Sequence, residues 1–202
     1  MRTTLFRLRH LINPLRNTQS RKGLLGHAIK SEKFQREKIE KSTGINCENI
    51  RGYRINQRFK YMEIKPQPFK EFYGFDYTED FDGLQLFANK KVFVNFKNVC
   101  GSGGSQNRTM REVYHFIEAQ CKTISNFNNG SVLLYDDENS MTPMTDVYFA
   151  NILDGDEIEK NFNKYQYLFV HYPIYAQDRI FVGTSDEYEK WFINNIRHHE
   201  TK

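Results

Sequence analysis

The chain has 202 residues, 15% of them aromatic, and a mean hydropathy of −0.72. This composition suits one globular domain with extensions and excludes collagen-like, coiled-coil and membrane-embedded proteins. Its apolar runs fall far short of the ~18 residues that a membrane-spanning helix needs, and three scattered cysteines do not make a disulfide scaffold.

The net charge of +4 is divided unevenly along the chain. Residues 1–60 contain 15 Lys and Arg against four acids, which gives +11, whereas residues 61–202 sum to −7. The pattern indicates a basic arm on a mildly acidic domain, with an anionic partner for the arm. We therefore expect a basic amphipathic arm at 1–41, a mixed extension at 42–89 that packs on the domain, and a domain at 90–202.

The N-terminal arm is free of acids over its first 31 residues. Four apolar residues recur at helical spacing and form one stripe: Leu5, Leu8, Ile12 and Leu15. An Arg-rich, acid-free, amphipathic segment is typical of a mitochondrial presequence, although an ordinary basic tail has a similar composition. We expect matrix-side mitochondrial localisation, with the arm retained and held by a large assembly. The candidate contacts to RNA or a protein partner are Arg2, Arg7, Arg9, Arg16, Arg21 and Lys22.

Two further segments precede the domain. Residues 31–41 (SEKFQREKIEK) predict a short charged helix that is solvated or lies on a partner. Residues 72–83 (FYGFDYTEDFDG) combine aromatic rings with carboxylates. We expect these rings to cap a core and not to stack on bases, because the carboxylates would repel phosphate.

Regular elements become clear from Lys90 onward. The run at 90–96 (KKVFVNF) alternates and predicts a strand, and a Gly-rich loop follows Cys100. A helix is predicted next, and its apolar face contains Met110, Val113, Tyr114, Ile117, Cys121 and Ile124. Strands are then predicted at 131–135, 147–150, 165–175 and 179–183, the last two as a hairpin.

The chain ends in a predicted helix. Thr184 and Glu187 fit a capping box, and the buried stripe is formed by Tyr188, Trp191, Phe192 and Ile196. The order strand, Cys loop, helix, strand, Pro, strand predicts an α/β fold. We expect a thioredoxin-like mixed sheet with flanking helices, plus the long basic N-terminal extension.

Cys100 and the loop after it allow two kinds of site. Cys100 lies between a strand and a helix N-terminus, where a helix dipole lowers a thiol pKa. A monothiol glutaredoxin-like activity would use this thiol, but the chain lacks a C-x-x-C motif, and residues 106–109 are expected to be a loop insertion. The glycines could instead present N–H groups to a phosphate, with Arg108 and Arg111 nearby, or form a simple flexible turn.

The same region resembles a small thioredoxin-like mitochondrial family. The motif residues are Cys100, Gly103, Gly104, Ser105, Pro143 and Asn151. The family includes ribosomal proteins of both subunits and a small accessory subunit of respiratory complex I, and the Cys-x-x-Gly-Gly-Ser form looks most like the large-subunit ribosomal member. The resemblance covers roughly 90–160. Two features depart from the family pattern. An extra segment lies between Ser105 and Arg111, and residues 152–154 replace the family's glycine turn after Asn151.

This resemblance implies a fold that has lost its redox chemistry and serves as a packing module. We therefore expect a non-catalytic structural component of the mitochondrial large ribosomal subunit that contacts rRNA and neighbouring ribosomal proteins. An accessory subunit of complex I, held by protein contacts, is the alternative. No cofactor or metal is expected, because His198 and His199 lack a third ligand at zinc spacing and the acidic clusters lack the calcium-loop pattern.

Overall fold

The computed structural model describes residues 21–56, 61–64, 77–100, 103–126, 131–135 and 141–197. Its helices are α1 (Arg21–Thr43), α2 (Gly104–Ser125), α3 (Asp156–Glu159), α4 (Phe162–Phe169), α5 (Ile174–Gln177) and α6 (Tyr188–Phe192), with a π-helical segment at Ile193–Arg197. Its strands are β1 (Cys47–Asn49), β2 (Tyr53–Asn56), β3 (Tyr61–Ile64), β4 (Tyr77–Asp80), β5 (Gly83–Phe87), β6 (Lys90–Asn98), β7 (Val132–Tyr135), β8 (Met141–Met144), β9 (Val147–Asp154) and β10 (Ile180–Gly183).

The first sheet has the strand order β1-β5-β6-β9-β10. β1, β5 and β6 are antiparallel neighbours, and β9 and β10 run parallel to β6. The extension at 42–89 thus supplies two strands of this sheet. The result agrees with the α/β, thioredoxin-like class of mixed sheet with flanking helices that the sequence predicts.

The two faces of the first sheet carry separate apolar cores. One core joins the sheet to α2, α4 and α5, and stacks the rings of Phe81 and Phe149 with centroids 5.3 Å apart. The other joins the sheet to α1 and α6 through residues such as Ile39, Val94 and Phe192. The predicted alternation of Val92, Val94 and Phe96 is confirmed, since all three residues belong to this second core.

A second sheet has the order β4-β2-β3-β7-β8 and packs on the α2 side of the molecule. Ile55, Met62 and Val132 bring its strands into the core that contains α2. Pro143 lies in β8, an edge strand, where a missing N–H breaks no internal ladder.

Three sequence predictions about elements are wrong or incomplete. Residues 165–175 are not a strand: 165–169 belong to α4, 170–173 form a turn, and 174–175 begin α5. Tyr165 and Leu168 are buried at a spacing of one helical turn, which suits a helix. The predicted hairpin is therefore absent, and β10 pairs in parallel with β9. The charged helix predicted at 31–41 is part of α1 and packs on the sheet, with Gln35 and Ile39 buried.

Candidate functional site at the carboxyl edge of the first sheet

The carboxyl ends of β6, β9 and β10 lie at one edge of the first sheet, which we call the carboxyl edge. In open α/β sheets, ligands bind in the crevice outside this edge. Asp82 also lies there, since it precedes β5, which runs antiparallel to β6. The register pairs Gly83 with Val94, so Asp82 is level with Asn95 and close to Lys97.

Asp82 is held on two sides, by the backbone of β6 and by the side chain of Arg36 in α1. Its Oδ2 accepts a hydrogen bond from the Phe96 N–H at 2.8 Å, and its carbonyl oxygen accepts one from Arg36 at 2.7 Å. Burial raises the pKa of the Asp82 carboxyl to about 6, although the Phe96 N–H and the charge of Lys97 both lower it. The residue can therefore exchange a proton near neutral pH.

Lys97 pairs with Glu79 across the same corner, with an Nζ–O distance of 2.5 Å. Burial lowers the pKa of Lys97, but the carboxylates of Glu79, Asp82 and Glu32 outweigh that effect and raise it above the ordinary value. Lys97 is therefore a fixed positive charge beside Asp82. Because Glu79 pairs with Lys97 and Glu32 also lies near it, the corner has a carboxyl that titrates near neutrality but no net positive charge to attract an anionic substrate.

Gln35 and Asp154 close the edge from the α1 side. The Gln35 amide donates to the Lys97 carbonyl oxygen at 3.1 Å and to Asp154 Oδ2 at 2.9 Å. The other oxygen of Asp154 accepts from the N–H and the hydroxyl of Ser185, at 2.9 and 3.1 Å. These bonds link helix α1 with the ends of three parallel strands, and they satisfy Asp154 within the chain.

The carboxyl edge does not assemble a recognisable metal site within the described ranges. No group of three or more His, Cys, Asp or Glu side chains there is arranged to hold a metal ion. The chemistry that these residues can perform by themselves is proton exchange by Asp82, since Lys97 is held by Glu79.

Cys100 lies at the same edge, just beyond β6. Its Sγ donates to Asn98 Oδ1 at 3.2 Å, and the side chain is half-buried. The prediction that residues 106–109 form a loop insertion is wrong, because α2 begins at Gly104 and those residues form its first turns. The sequence argument against a reactive Cys100 is that a loop at 106–109 would hold the thiol away from the helix N-terminus. Because these residues are helical, that argument does not apply.

The other two cysteines do not supply a resolving thiol. Cys47 belongs to the core on the α1 side and Cys121 to the core on the α2 side. Burial raises the pKa of each thiol to about 12, which keeps both protonated and unreactive. All three cysteines are free.

The remaining motif residues lie apart from one another. Gly103 is the N-cap of α2, Gly104 and Ser105 begin that helix, and Pro143 lies in the second sheet. Asn151 is fully buried in β9, where its amide exchanges hydrogen bonds with Gln120 of α2 at 2.7 and 3.0 Å. Asn151 therefore fixes a helix to the sheet.

The predicted cationic contacts divide into three groups. Arg2, Arg7, Arg9 and Arg16 lie outside the described residues, and so do the side chains of Arg21 and Lys22 at the start of α1. Arg108 is exposed and pairs with Glu112 at 2.8 Å. Arg111 is also exposed, and it lines an open groove between α2 and α4 with a volume of about 720 Å³.

Sequence reasoning missed the residues that meet at the carboxyl edge. Gln35, Asp82 and Lys97 are far apart along the chain and come together only through the β5–β6 register and the packing of α1. The sequence contains a partial signal for this site, because the acidic run before β5 and Lys97 at the end of β6 lie on either side of a predicted strand. Only the antiparallel pairing of β5 with β6 brings the acidic run to the same edge of the sheet as Lys97.

Comparison with known proteins finds no match: no family model, curated protein or solved structure is similar to the chain. In the described part of the chain, no helix has the length and apolarity that crossing a membrane requires.

Proposed function

We propose that the chain is a non-catalytic structural component of the mitochondrial large ribosomal subunit, attached to rRNA and neighbouring proteins mainly through its basic N-terminal arm. One observation supports this proposal above the others. Helix α1 begins at Arg21, near the end of the acid-free segment, and continues without a break to Thr43, deep in the fold. A partner that holds the arm therefore also orients the sheet.

The C-terminal half of α1 is firmly attached to the domain. Ile39 is fully buried against the sheet, and Gln35 bonds to the end of β6. Lys38 pairs with Asp186 at 2.8 Å, and Arg36 lies over the Phe96 ring at 5.6 Å. The helix thus runs without a break from the folded domain to Arg21, within the basic arm.

Charge favours RNA as the partner of the arm. Each phosphate that a cation neutralises releases a counterion, which suits a segment of +11 over residues 1–60. The −7 of residues 61–202 places the domain at the surface of such an assembly or against proteins, not deep in RNA. The large-subunit identity depends on the family resemblance at Cys100–Ser105.

Sedimentation of the tagged full-length protein through gradients of mitochondrial lysate tests the proposal. Under the ribosomal proposal the protein travels with large subunits and is released by ribonuclease. Changing Arg7, Arg9 and Arg16 to Gln should release it at lower salt. Changing Lys122, Lys160 and Lys190 to Gln, an equal loss of charge in the domain outside residues 1–41, should not. Co-sedimentation with respiratory complex I would contradict the proposal and favour the alternative.

A further inference from the structure

The groove between α2 and α4 combines exposed cations, amides and aromatic rings. Its α2 side is formed by residues one turn apart, among them Arg111 and Tyr114. Its α4 side carries Lys164 and Tyr167. We propose that this groove binds single-stranded RNA, with Arg111 and Lys164 on phosphates and Tyr167 stacked on a base. The inference rests on the proposed function only for the source of that RNA.

The floor of the groove is apolar and fixed. Tyr165 is buried, and its hydroxyl donates to the Met110 carbonyl oxygen at 3.1 Å, which ties α4 to α2. Tyr114 packs beside it, with ring centroids 6.4 Å apart. Because both rings are held by the core, the two walls keep their spacing, and a ligand does not have to order them.

The walls carry positive charge without acidic neighbours in the lining. Arg111 and Lys164 are both exposed, and no carboxylate is among the described residues that line the groove. The nearby acids have partners elsewhere: Glu112 pairs with Arg108, and Glu157 pairs with Lys160 at 3.2 Å. The groove is therefore a positive site on a part of the chain that sums to −7 over residues 61–202.

Tyr167 is placed for stacking. It is 60% exposed, and its one ring contact with another described residue is an edge-to-face approach to the exposed His171 at 5.0 Å. Any base can stack on such a ring, because every base has a π-face. An exposed ring, two cations and asparagine amides together suit a flexible single strand whose bases are unpaired. A duplex would not fit as well, because its base faces are stacked inside the helix.

The test measures binding of a labelled, unstructured RNA of about twelve nucleotides. Fluorescence anisotropy of the full-length chain is recorded in a background with Arg7, Arg9 and Arg16 changed to Gln, which reduces binding by the arm. Tyr167→Ala should weaken binding about tenfold, while Tyr167→Phe, which keeps the ring, should not. Arg111→Gln with Lys164→Gln should also weaken it about tenfold. The matched pair Arg51→Gln with Lys190→Gln, two exposed cations outside the groove lining, should leave it unchanged.

Groove variants that bind like their matched controls would overturn the inference. Equal affinity for an acidic peptide of the same charge would overturn the assignment to RNA, since stacking on Tyr167 would then add nothing. Failure of the proposed ribosomal function can be distinguished from failure of the groove inference. A protein whose groove binds RNA in this assay but which never sediments with large subunits contradicts the ribosomal proposal alone. One that sediments while its groove variants bind normally contradicts the groove alone.

Discussion

The carboxyl edge of the first sheet and the groove between α2 and α4 hold their charges in opposite ways. At the edge, the Lys97 cation pairs with Glu79, and Asp154 is satisfied by Gln35 and Ser185. In the groove, the described lining residues include two cations and no carboxylate. Charge that the chain compensates internally stabilises its own fold, whereas charge left facing solvent is available to a partner. Four predictions test this difference, beginning with the largest expected effect.

Gly155 sets the geometry of the carboxyl edge after β9. It has a φ of +116°, and a Cβ at this position would lie 2.3 Å from the Val99 carbonyl oxygen. Gly155→Ala must therefore displace the end of β6 or of β9, and we expect a loss of about 2–4 kcal/mol in the free energy of unfolding. Urea denaturation measures it. Gly104→Ala is the control, because nothing lies within 4 Å of its added Cβ; equal losses in both variants would contradict the prediction.

Asp82 should make stability depend on pH. Its pKa is raised from 3.8 to about 6, so the folded state retains a proton that the unfolded state loses, and stability falls as pH rises between these values. Asp82→Asn removes this penalty and should stabilise the fold by about 2 kcal/mol at about pH 8, with little change at about pH 4. Urea midpoints at both pH values measure the gain. A gain of equal size at the two pH values would show that ionisation of Asp82 carries no cost.

The sequence predicted the elements whose periodicity matches their burial. β6 alternates, and α2 buries Val113, Ile117 and Cys121 on the face that the spacing indicates. The failure at 165–175 has a physical reason: Tyr, Phe, Val and Ile favour strands, but the segment folds into short helices that begin after Asn161 and Pro173. Tyr165, Leu168 and Ala176 are buried there, whereas Val170 and Ile174 are exposed.

The two functional surfaces could be predicted only in part. Arg111 is recognisable from its position beside the Gly-rich loop. Tyr167 lies in the segment 165–175, for which the sequence predicts a strand, and Lys164 directly precedes it, so the sequence predicts no groove. The carboxyl edge depends on the register of β5 with β6, which a single sequence does not specify.

Lys97 and the groove cations should differ in their effect on stability. Lys97→Met leaves Glu79 without its partner at a partly buried corner, and we expect a loss of about 1–2 kcal/mol in the free energy of unfolding. The double change of Arg111 and Lys164 to Gln should stay within about 0.5 kcal/mol, since the groove positions are exposed. Thermal or urea unfolding of both variants at one pH compares them directly. A larger loss in the groove variant would contradict the difference between the two surfaces.

The salt dependence of RNA binding tests most directly whether the groove cations contact phosphates. The logarithm of the association constant for single-stranded RNA falls with the logarithm of salt concentration by about 0.7 per neutralised phosphate. For two lost contacts, the Arg111→Gln/Lys164→Gln variant should therefore show a slope less steep by about 1.4 than the unaltered protein. The Arg51→Gln/Lys190→Gln variant, which changes two exposed cations outside the groove, should keep the original slope. Coincident slopes for all three proteins would contradict the account.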